Sequence, residues 1–430
     1  MNRIKILLII VLLLSSNFIK AQKYVGGDIS LLTKYEEHGA NYMDKDGAAI
    51  NDLLTFLKEQ GMNAMRVRLF VDPSRASEKQ QGEGVCQDIP YVKKLGKKIK
   101  DAGMKLMLDF HYSDTWADPG QQDIPFSWSV NSWGIDQSVY KYTKDCLEEL
   151  VAAGATPDFI QTGNEISFGM LWGMEVNGQY EDWEQQGCHL EVNSEWTGYT
   201  DKHWDNFTKC LKAAGNACRE VCPEAKIIIH TEQAANTALV TDFYKRLDDN
   251  SVDYDIIGTS YYPYFHCDIA QLNTTITKFE QTFPSKQIMV VETGCGYRYK
   301  MGDKETGYPL TYEGQQKFTA DLITMLNKHP NVNGLFWWFL EANEYGLDWS
   351  TKRVTDKWYD ASLFDNETGR ALPALYELKK FADSSASFIQ PLSINGYKDT
   401  NWYDLCGRKL SETPKVKGVY INNKKKYVTK

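Results

Sequence analysis

The sequence lacks an excess of positive charge and, after its first residues, lacks long apolar runs. It has 48 Lys and Arg against 57 Asp and Glu, which gives a net charge of −9 at pH 7. Proteins that bind nucleic acid need a basic surface to neutralise phosphates, so we predict no nucleic-acid partner. No later stretch approaches the roughly 18 apolar residues of a membrane-spanning helix. Both absences favour a globular protein that acts on another kind of ligand.

The first 21 residues have the pattern of a secretory signal peptide. Arg3 and Lys5 precede an apolar run at 6–14, and the small residue Ala21 ends the segment. An N-terminal core helix is the alternative, and it fits this layout less well. The first cysteine is Cys86, so a lipid anchor on a cysteine at the cleavage point is excluded. We therefore expect an exported protein, periplasmic or extracellular, with no membrane anchor.

Cysteines are too few for a disulfide-rich scaffold. There are nine in 430 residues, and an odd number leaves at least one unpaired. Cys218 and Cys222 have helical spacing, but no further His or Cys pair completes a zinc site. We predict no metal site and mostly buried thiols, while one or two disulfides remain open.

What the chain does have is a regular alternation of short β-rich runs and helical periods. The eight predicted strands are 24–29, 64–70, 105–110, 159–162, 226–230, 255–260, 287–291 and 334–338. The predicted helices between them include 50–60, 91–102, 138–153, 203–221, 269–282 and 314–329. Because the strands are apolar on both faces, this order predicts a (β/α)8 TIM barrel, an α/β fold, rather than an open sheet. No Gly-rich phosphate-binding run follows the first strand, which argues against nucleotide binding.

The pattern changes near residue 387. The predicted organisation is therefore a signal peptide at 1–21, a catalytic barrel at 22–386 and a small β-rich C-terminal appendage at 387–430. Short strands are expected around 401–406 and 417–428, followed by terminal lysines. We interpret the appendage as a packing tail, because exposed terminal charges are usually only solvated.

Polar residues follow several predicted strands, at the end of a barrel where active sites lie. Glu165 closes the fourth strand and Glu292 the seventh, while Arg66 and Arg68 alternate into the barrel from the second. Two carboxylates in one pocket fit a glycoside hydrolase, in which one carboxyl donates a proton while the other stays ionised. We expect the arginines to keep Glu292 ionised and the pKa of Glu165 to be raised.

A longer motif follows the third predicted strand. The run LDFHYSDTWADPG at 108–120 resembles the family 53 endo-β-1,4-galactanases of clan A, which are retaining glycoside hydrolases. Further matching runs are VGGDIS at 25–30, MRVRL at 65–69, GMLW at 169–172 and GTSYYP at 258–263, while GNE at 163–165 and the Glu after the seventh strand resemble the broader clan A pattern. The resemblance covers about residues 24–381, nearly the whole chain except the signal segment and the tail.

The resemblance implies a role for individual side chains. Glu165 would be the acid/base and Glu292 the nucleophile of a double-displacement hydrolysis of β-1,4-galactan, in pectic galactan or type I arabinogalactan. The other side chains implied in substrate binding are Asn164, Arg68, Asp109, His111, Trp116, Tyr262 and Trp338. Of these, Asn164 would bind the sugar 2-hydroxyl, Tyr262 and Arg68 would support Glu292, and the rest would line the groove.

Some features depart from the family pattern and leave alternatives open. A long aromatic and acidic stretch at 173–201 follows the fourth strand, so binding subsites there are expected to differ. The loop after Glu292 lacks the Asp-x-Asp-x-His-x-Asn run of calcium-binding members, so structural calcium is not supported, and no cofactor is expected. Another clan A glycanase such as a β-mannanase would share both glutamates, whereas a non-catalytic polysaccharide-binding barrel would lose one. We expect a monomer whose partner is a polysaccharide.

Overall fold

The structure is a computed structural model. It describes residues 22–129, 134–176, 179–182, 187–348, 354–355, 360–383, 402–403, 409–410, 418–422 and 425–429. The predicted signal peptide lies outside the described residues. The chain divides into two compact units, Met1–Ser385 and Ala386–Lys430.

Eight parallel strands close into a barrel, which confirms the predicted (β/α)8 fold. In chain order these strands, β1 to β8, are Tyr24–Asp28, Ala64–Leu69, Lys105–Phe110, Phe159–Thr162, Lys226–Thr231, Ile256–Tyr261, Gln287–Thr293 and Val332–Trp337. Each strand pairs with its neighbours along the chain, and β1 closes the ring by pairing with β8, Val25 opposite Leu335. The strand ends differ from the predicted ones by only a few residues.

Helices surround the barrel between the strands. They are Leu32–His38, Leu53–Glu59, Glu78–Gly82, Ile89–Asp101, Phe126–Ser129, Ile135–Ala152, Trp204–Val221, Thr237–Asp249, Ile269–Thr282, Tyr312–Leu326, Pro373–Glu377 and Lys379–Asp383, with a short 3₁₀ helix at Pro73–Arg75. The helix predicted from residue 50 begins at Leu53, because the Asp52 side chain caps it by accepting from the Thr55 N–H. Helix Thr237–Asp249 was not among those predicted. No described helix is long and apolar enough to cross a membrane.

The barrel interior changes from apolar to polar along the strands. Its lower layer is a separate apolar cluster with Ala64, Met107, Phe159 and Ile228 from β2 to β5, together with side chains from β6, β7 and β8. Side chains of one strand alternate, so the residue two positions further along each strand also faces inward. On β2 to β5 those residues are Arg66, Asp109, Gln161 and His230. A buried polar layer therefore lies directly on an apolar plug and supports the open end of the barrel.

Two smaller features lie outside the barrel sheet. In the segment after β4, strands Gly173–Val176 and Gln179–Asp182 form a hairpin, and Gly169–Met170 pairs with Cys188–His189. In the second unit, strands Trp402–Tyr403, Lys409–Leu410, Gly418–Asn422 and Lys425–Thr429 form an antiparallel sheet. Six of the eight described cysteines are buried, and the sulfurs of Cys188 and Cys210 are 3.7 Å apart.

Candidate active site

A cavity of about 440 Å³ opens at the carboxyl ends of the barrel strands. Its lining residues are Glu83, Trp116, Ala117, Asp118, Pro119, Gln121, Asn164, Glu165, Glu232, Tyr262, Phe265, His266, Glu292 and Trp338. The structure thus brings both predicted carboxylates to one cavity. Four of the other predicted side chains, Asn164, Trp116, Tyr262 and Trp338, also line its wall. Arg68, Asp109 and His111 are buried behind it.

Glu292 reaches the cavity because β7 is irregular at its end. Opposite Thr259 and Ser260 of β6, the register of β7 passes from Val290 to Glu292, so Val291 is an extra residue. Such a bulge turns the strand locally and re-aims the side chains that follow it. Val291 packs in the apolar plug, and the next residue, Glu292, also faces inward. Simple alternation would have turned it away.

Glu292 is held by one hydrogen bond and one ion pair. The Tyr262 hydroxyl donates to its Oε2 at 3.0 Å, and Arg66 Nη2 lies 2.8 Å from its Oε1. Arg66 also pairs with Asp28 and Asp109, at 2.9 and 2.8 Å, so one cation serves three carboxylates. Burial raises the pKa of Glu292, and Arg66 and Tyr262 offset this only in part, so the pKa is about 7.

Arg68 does not make the contact that the resemblance implies. Its Nη1 donates to Asp28 at 2.8 Å, and its guanidinium lies 4.9 Å from the ring of Trp116 and 4.7 Å from that of Trp338. Arg66 is therefore the arginine that contacts Glu292. The reason is depth, because Arg66 lies two residues deeper along β2 than Arg68 and there reaches both Asp109 and Glu292, each at 2.8 Å. Arg68 instead supports the two tryptophans of the cavity wall.

Glu165 sits on a strained turn after β4. Its backbone has a φ of 49°. This lies in the left-handed region, which is energetically unfavourable for any residue other than glycine. Gly163, two residues earlier, has a φ of 105°, and a Cβ there would lie 2.8 Å from the Ile166 side chain. The Ser260 hydroxyl donates to Glu165 Oε1 at 2.5 Å. Strain held by tight packing is typical of functional turns.

The electrostatic surroundings of Glu165 are mostly anionic. Burial raises its pKa well above the usual range, and the charges of Glu292 and Glu232 raise it further, whereas the hydrogen bond from Ser260 lowers it. Glu292 has Arg66 beside it. The two carboxyls therefore differ as acids, and we assign the first proton lost to Glu292.

The buried predicted residues form one hydrogen-bonded network beneath the cavity. Asp109 Oδ1 accepts from Gln161 at 2.6 Å, and its Oδ2 lies 3.1 Å from His111 Nε2. Although burial disfavours the charged form, Arg66 and His111 lower the pKa of Asp109. Asn164 accepts from Arg66 at 2.9 Å and donates to the Ala117 carbonyl at 2.8 Å. Its second N–H remains available for a substrate hydroxyl.

Two residues at the end of β5 were missed by the sequence reasoning. Glu232 lines the cavity and accepts from Ser167 at 2.7 Å, and burial raises its pKa to about 7. His230, buried beneath it, lies 2.8 Å from the Ser260 hydroxyl. The same rule that led to Glu165, polar residues at the end of a strand, points to both when applied to β5.

No group of three or more His, Cys, Asp or Glu side chains is arranged to hold a metal ion in the described part of the chain. In the loop after Glu292, Arg298 forms an ion pair with Glu367 at 2.7 Å and Lys300 one with Glu305 at 2.6 Å. These paired carboxylates do not provide the oxygen-rich cage that calcium prefers.

The arrangement can perform acid/base chemistry on a flat, hydroxyl-rich ligand. One carboxyl keeps its proton to higher pH than the other, which is the requirement for protonating a leaving oxygen while a second group attacks. The rings of Trp116 and Trp338, 6.1 Å apart, provide apolar faces on the cavity wall.

Comparison with known proteins agrees with this geometry. Residues 24–378 match the sequence pattern of Glycosyl hydrolase family 53. The chain is 26% identical to an endo-β-1,4-galactanase of Bacillus subtilis, and the match covers 86% of this chain and 87% of the relative. It is 30% identical to a probable arabinogalactan endo-β-1,4-galactanase A of Neosartorya fischeri, and that match covers 73% of this chain and 83% of the relative. It superposes on a family 53 catalytic domain of Ignisphaera aggregans with a TM-score of 0.69 at 28% identity, covering 84% and 96%. The chain therefore belongs to glycoside hydrolase family 53.

Proposed function

We propose that this protein is an endo-β-1,4-galactanase that cleaves pectic galactan or type I arabinogalactan side chains with retention of configuration. Membership of family 53 and relatives named as endo-β-1,4-galactanases support the activity. The observation that carries the mechanism is that Glu165 and Glu292 share one cavity but have different neighbours.

In the first step Glu292 is the nucleophile. Its carboxylate forms a bond to the anomeric carbon of the sugar while the bond from that carbon to the leaving oxygen breaks. Glu165 gives its proton to the leaving oxygen, so the departing chain leaves as an alcohol. Tyr262 and Arg66 hold Glu292 in place for the attack.

In the second step Glu165 acts as a base. Its carboxylate takes a proton from water as the water oxygen bonds to the anomeric carbon and the bond to Glu292 breaks. Two inversions at one carbon give the β-product. Glu165 carries out both proton transfers and Glu292 supplies the nucleophile, so we propose that no cofactor takes part.

Substrate choice depends on the shape of the cavity wall. The axial 4-hydroxyl of galactose makes a β-1,4-galactan chain bend where cellulose runs straight. Trp116 and Trp338 would stack on the apolar faces of the sugars, and Asn164 would bind the 2-hydroxyl of the sugar under attack. The buried polar side chains behind the wall, Arg68, Asp109 and His111, would hold these contacts rigid.

We also propose an exported, monomeric enzyme whose partner is the polysaccharide alone. The signal-like pattern at 1–21 supports export. Mass spectrometry of the N-terminus after expression with the natural leader tests the cleavage, which we expect after Ala21.

Digestion of potato galactan beside mannan and cellulose tests the substrate. We expect internal cleavage of galactan to short oligosaccharides and rates on the other polymers that are lower by up to about 10⁴-fold, because unpaired polar groups penalise a wrong hydroxyl. Comparable rates on mannan would refute the galactanase assignment, and an α-anomer as the first product by NMR would refute retention.

A further inference from the structure

A chain of hydrogen bonds leads from the buried polar layer to Glu165. Gln161 Nε2 lies 2.8 Å from His230 Nδ1, and His230 Nε2 lies 2.8 Å from the Ser260 hydroxyl oxygen. Ser260 in turn donates to Glu165 Oε1 at 2.5 Å. These residues come from the ends of β4, β5 and β6, so three strands converge on one carboxyl group.

The partners of His230 determine which ring nitrogen carries its proton. The Gln161 amide and the Glu165 backbone N–H, at 3.3 Å, both donate toward Nδ1. Asn164 Oδ1, an acceptor, is also 3.1 Å away, but the Glu165 N–H can only donate, so Nδ1 is the acceptor. Burial and the charge of Arg66 lower the pKa of His230 well below its usual value, so the ring is neutral. The single proton therefore lies on Nε2.

This tautomer gives the Ser260 hydroxyl one direction. Its oxygen accepts from His230 Nε2–H, and its own hydrogen must then point to Glu165. His230 thus contacts Glu165 at two places, the backbone N–H directly and the carboxyl through Ser260. Both contacts hold a residue whose backbone has the strained φ of 49°.

We propose that Ser260, oriented by His230, is a positioning residue that holds the Glu165 carboxyl and stabilises it in the ionised state. This inference rests on the proposed function, in which Glu165 is ionised after it has protonated the leaving group. The donor fixes Oε1, so the other oxygen, Oε2, is directed to the water that it must deprotonate. A neutral donor serves here because a cation would suppress the acid role of the first step.

The groups around Glu165 determine the direction in which its pKa moves when Ser260 is changed. Glu292 on β7, Glu232 after β5 and Asp118 after β3 are all carboxylates that raise the pKa of Glu165, whereas Ser260 lowers it. Burial, Arg66, His111 and His266 lower the pKa of His230, and they outweigh Asp109, which raises it, so the ring is neutral. Removing the serine hydroxyl should therefore let Glu165 keep its proton to higher pH.

The test is a pH profile of kcat/KM and kcat on galactan for Ser260→Ala. We expect kcat to fall by about 10- to 100-fold, the scale of a lost hydrogen bond to a charged group, with little change in KM. The alkaline limb of the profile should move to higher pH. Ser362→Ala is the matched control, since it removes a buried serine hydroxyl bonded to the Phe364 carbonyl, and it should leave the limb in place.

A second variant guards against loss of folding. His230→Gln keeps a donor at the position of Nε2, so its alkaline limb should stay near the wild-type pH. His230→Leu has no such donor, so its alkaline limb should move to higher pH as in Ser260→Ala. If Glu165→Gln leaves the alkaline limb intact, the acid/base assignment fails and this inference fails with it. If Glu165→Gln abolishes the limb but Ser260→Ala leaves it unmoved or lowers it, only this inference is refuted.

Discussion

The two sides of the cavity treat the same side chain, a glutamate, in opposite ways. On the β7 side, Glu292 lies beside Arg66 and accepts from Tyr262. On the β4 side, Glu165 accepts from the neutral Ser260 and faces the carboxylate of Glu232. A cation beside one carboxyl and anions beside the other separate their acidities. The division of labour between nucleophile and acid therefore comes from neighbours on other strands.

One arginine is not enough to bring the pKa of Glu292 below the ordinary value of a glutamate. Arg66 is fully buried, and its charge is shared by Asp28, Asp109 and Glu292. Burial of Glu292 therefore outweighs the attraction. The network orients Glu292 firmly but leaves its pKa close to neutral pH.

The largest effect should come from removing the nucleophile. We expect Glu292→Ala to lower kcat on galactan by about 10⁶-fold, the scale seen when other hydrolases lose theirs. Azide, a small anion that can occupy the vacated space, should restore turnover of an activated aryl galactoside and give an α-galactosyl azide, identified by NMR.

The matched control for that variant is Glu341→Gln. Glu341 is also a buried glutamate, but it is not among the cavity residues and it accepts from the Leu31 N–H at 2.7 Å. Burial raises its pKa to about 8, so the amide is a close substitute near neutral pH. Equal losses in both variants would contradict the assignment of Glu292.

Glu165→Gln should have the next largest effect, and one that depends on the leaving group. We expect a fall of about 10²- to 10⁴-fold on galactan, because the sugar alcohol needs protonation as it leaves. An aryl galactoside with an acidic phenol should lose much less in the glycosylation step, measured as kcat/KM. Equal losses on both substrates would place Glu165 outside the acid role.

Sequence reasoning predicted the barrel and the two glutamates because both follow from local patterns. Apolar strands between amphipathic helices give the fold, and the strand ends mark the cavity. It did not predict that Arg66 rather than Arg68 contacts Glu292, since that depends on depth in the barrel. The bulge at Val291 is a second case, because it breaks the alternation on which side-chain direction was judged.

Arg66→Met tests the stability side of the comparison. Loss of the cation leaves Asp28 and Asp109 buried without their shared partner, which typically costs about 3–5 kcal/mol. Urea unfolding should measure this loss. Arg219→Met is the control, because Arg219 is partly exposed beside Asp253 and Asp255, and surface pairs contribute about 1 kcal/mol or less. Similar losses of unfolding free energy in the two variants would show that the buried network around Arg66 stabilises the fold no more than a surface ion pair does.

The smallest effect should come from Glu232→Gln, and its direction tests how the anionic neighbours of Glu165 set its acidity. Glu232 accepts from Gln233 at Oε1 and from Ser167 at Oε2. In the variant the amide oxygen can keep the bond from Gln233, while the amide NH2 can donate to the Ser167 hydroxyl oxygen. Its negative charge raises the pKa of Glu165, so the neutral variant should lower that pKa. Because Glu165 must be protonated, the alkaline limb of kcat/KM should move to lower pH, opposite to Ser260→Ala. Asp118→Asn should move it the same way by less, since Asp118 acts more weakly on Glu165. An upward shift for Glu232→Gln would contradict the electrostatic account of the β4 side.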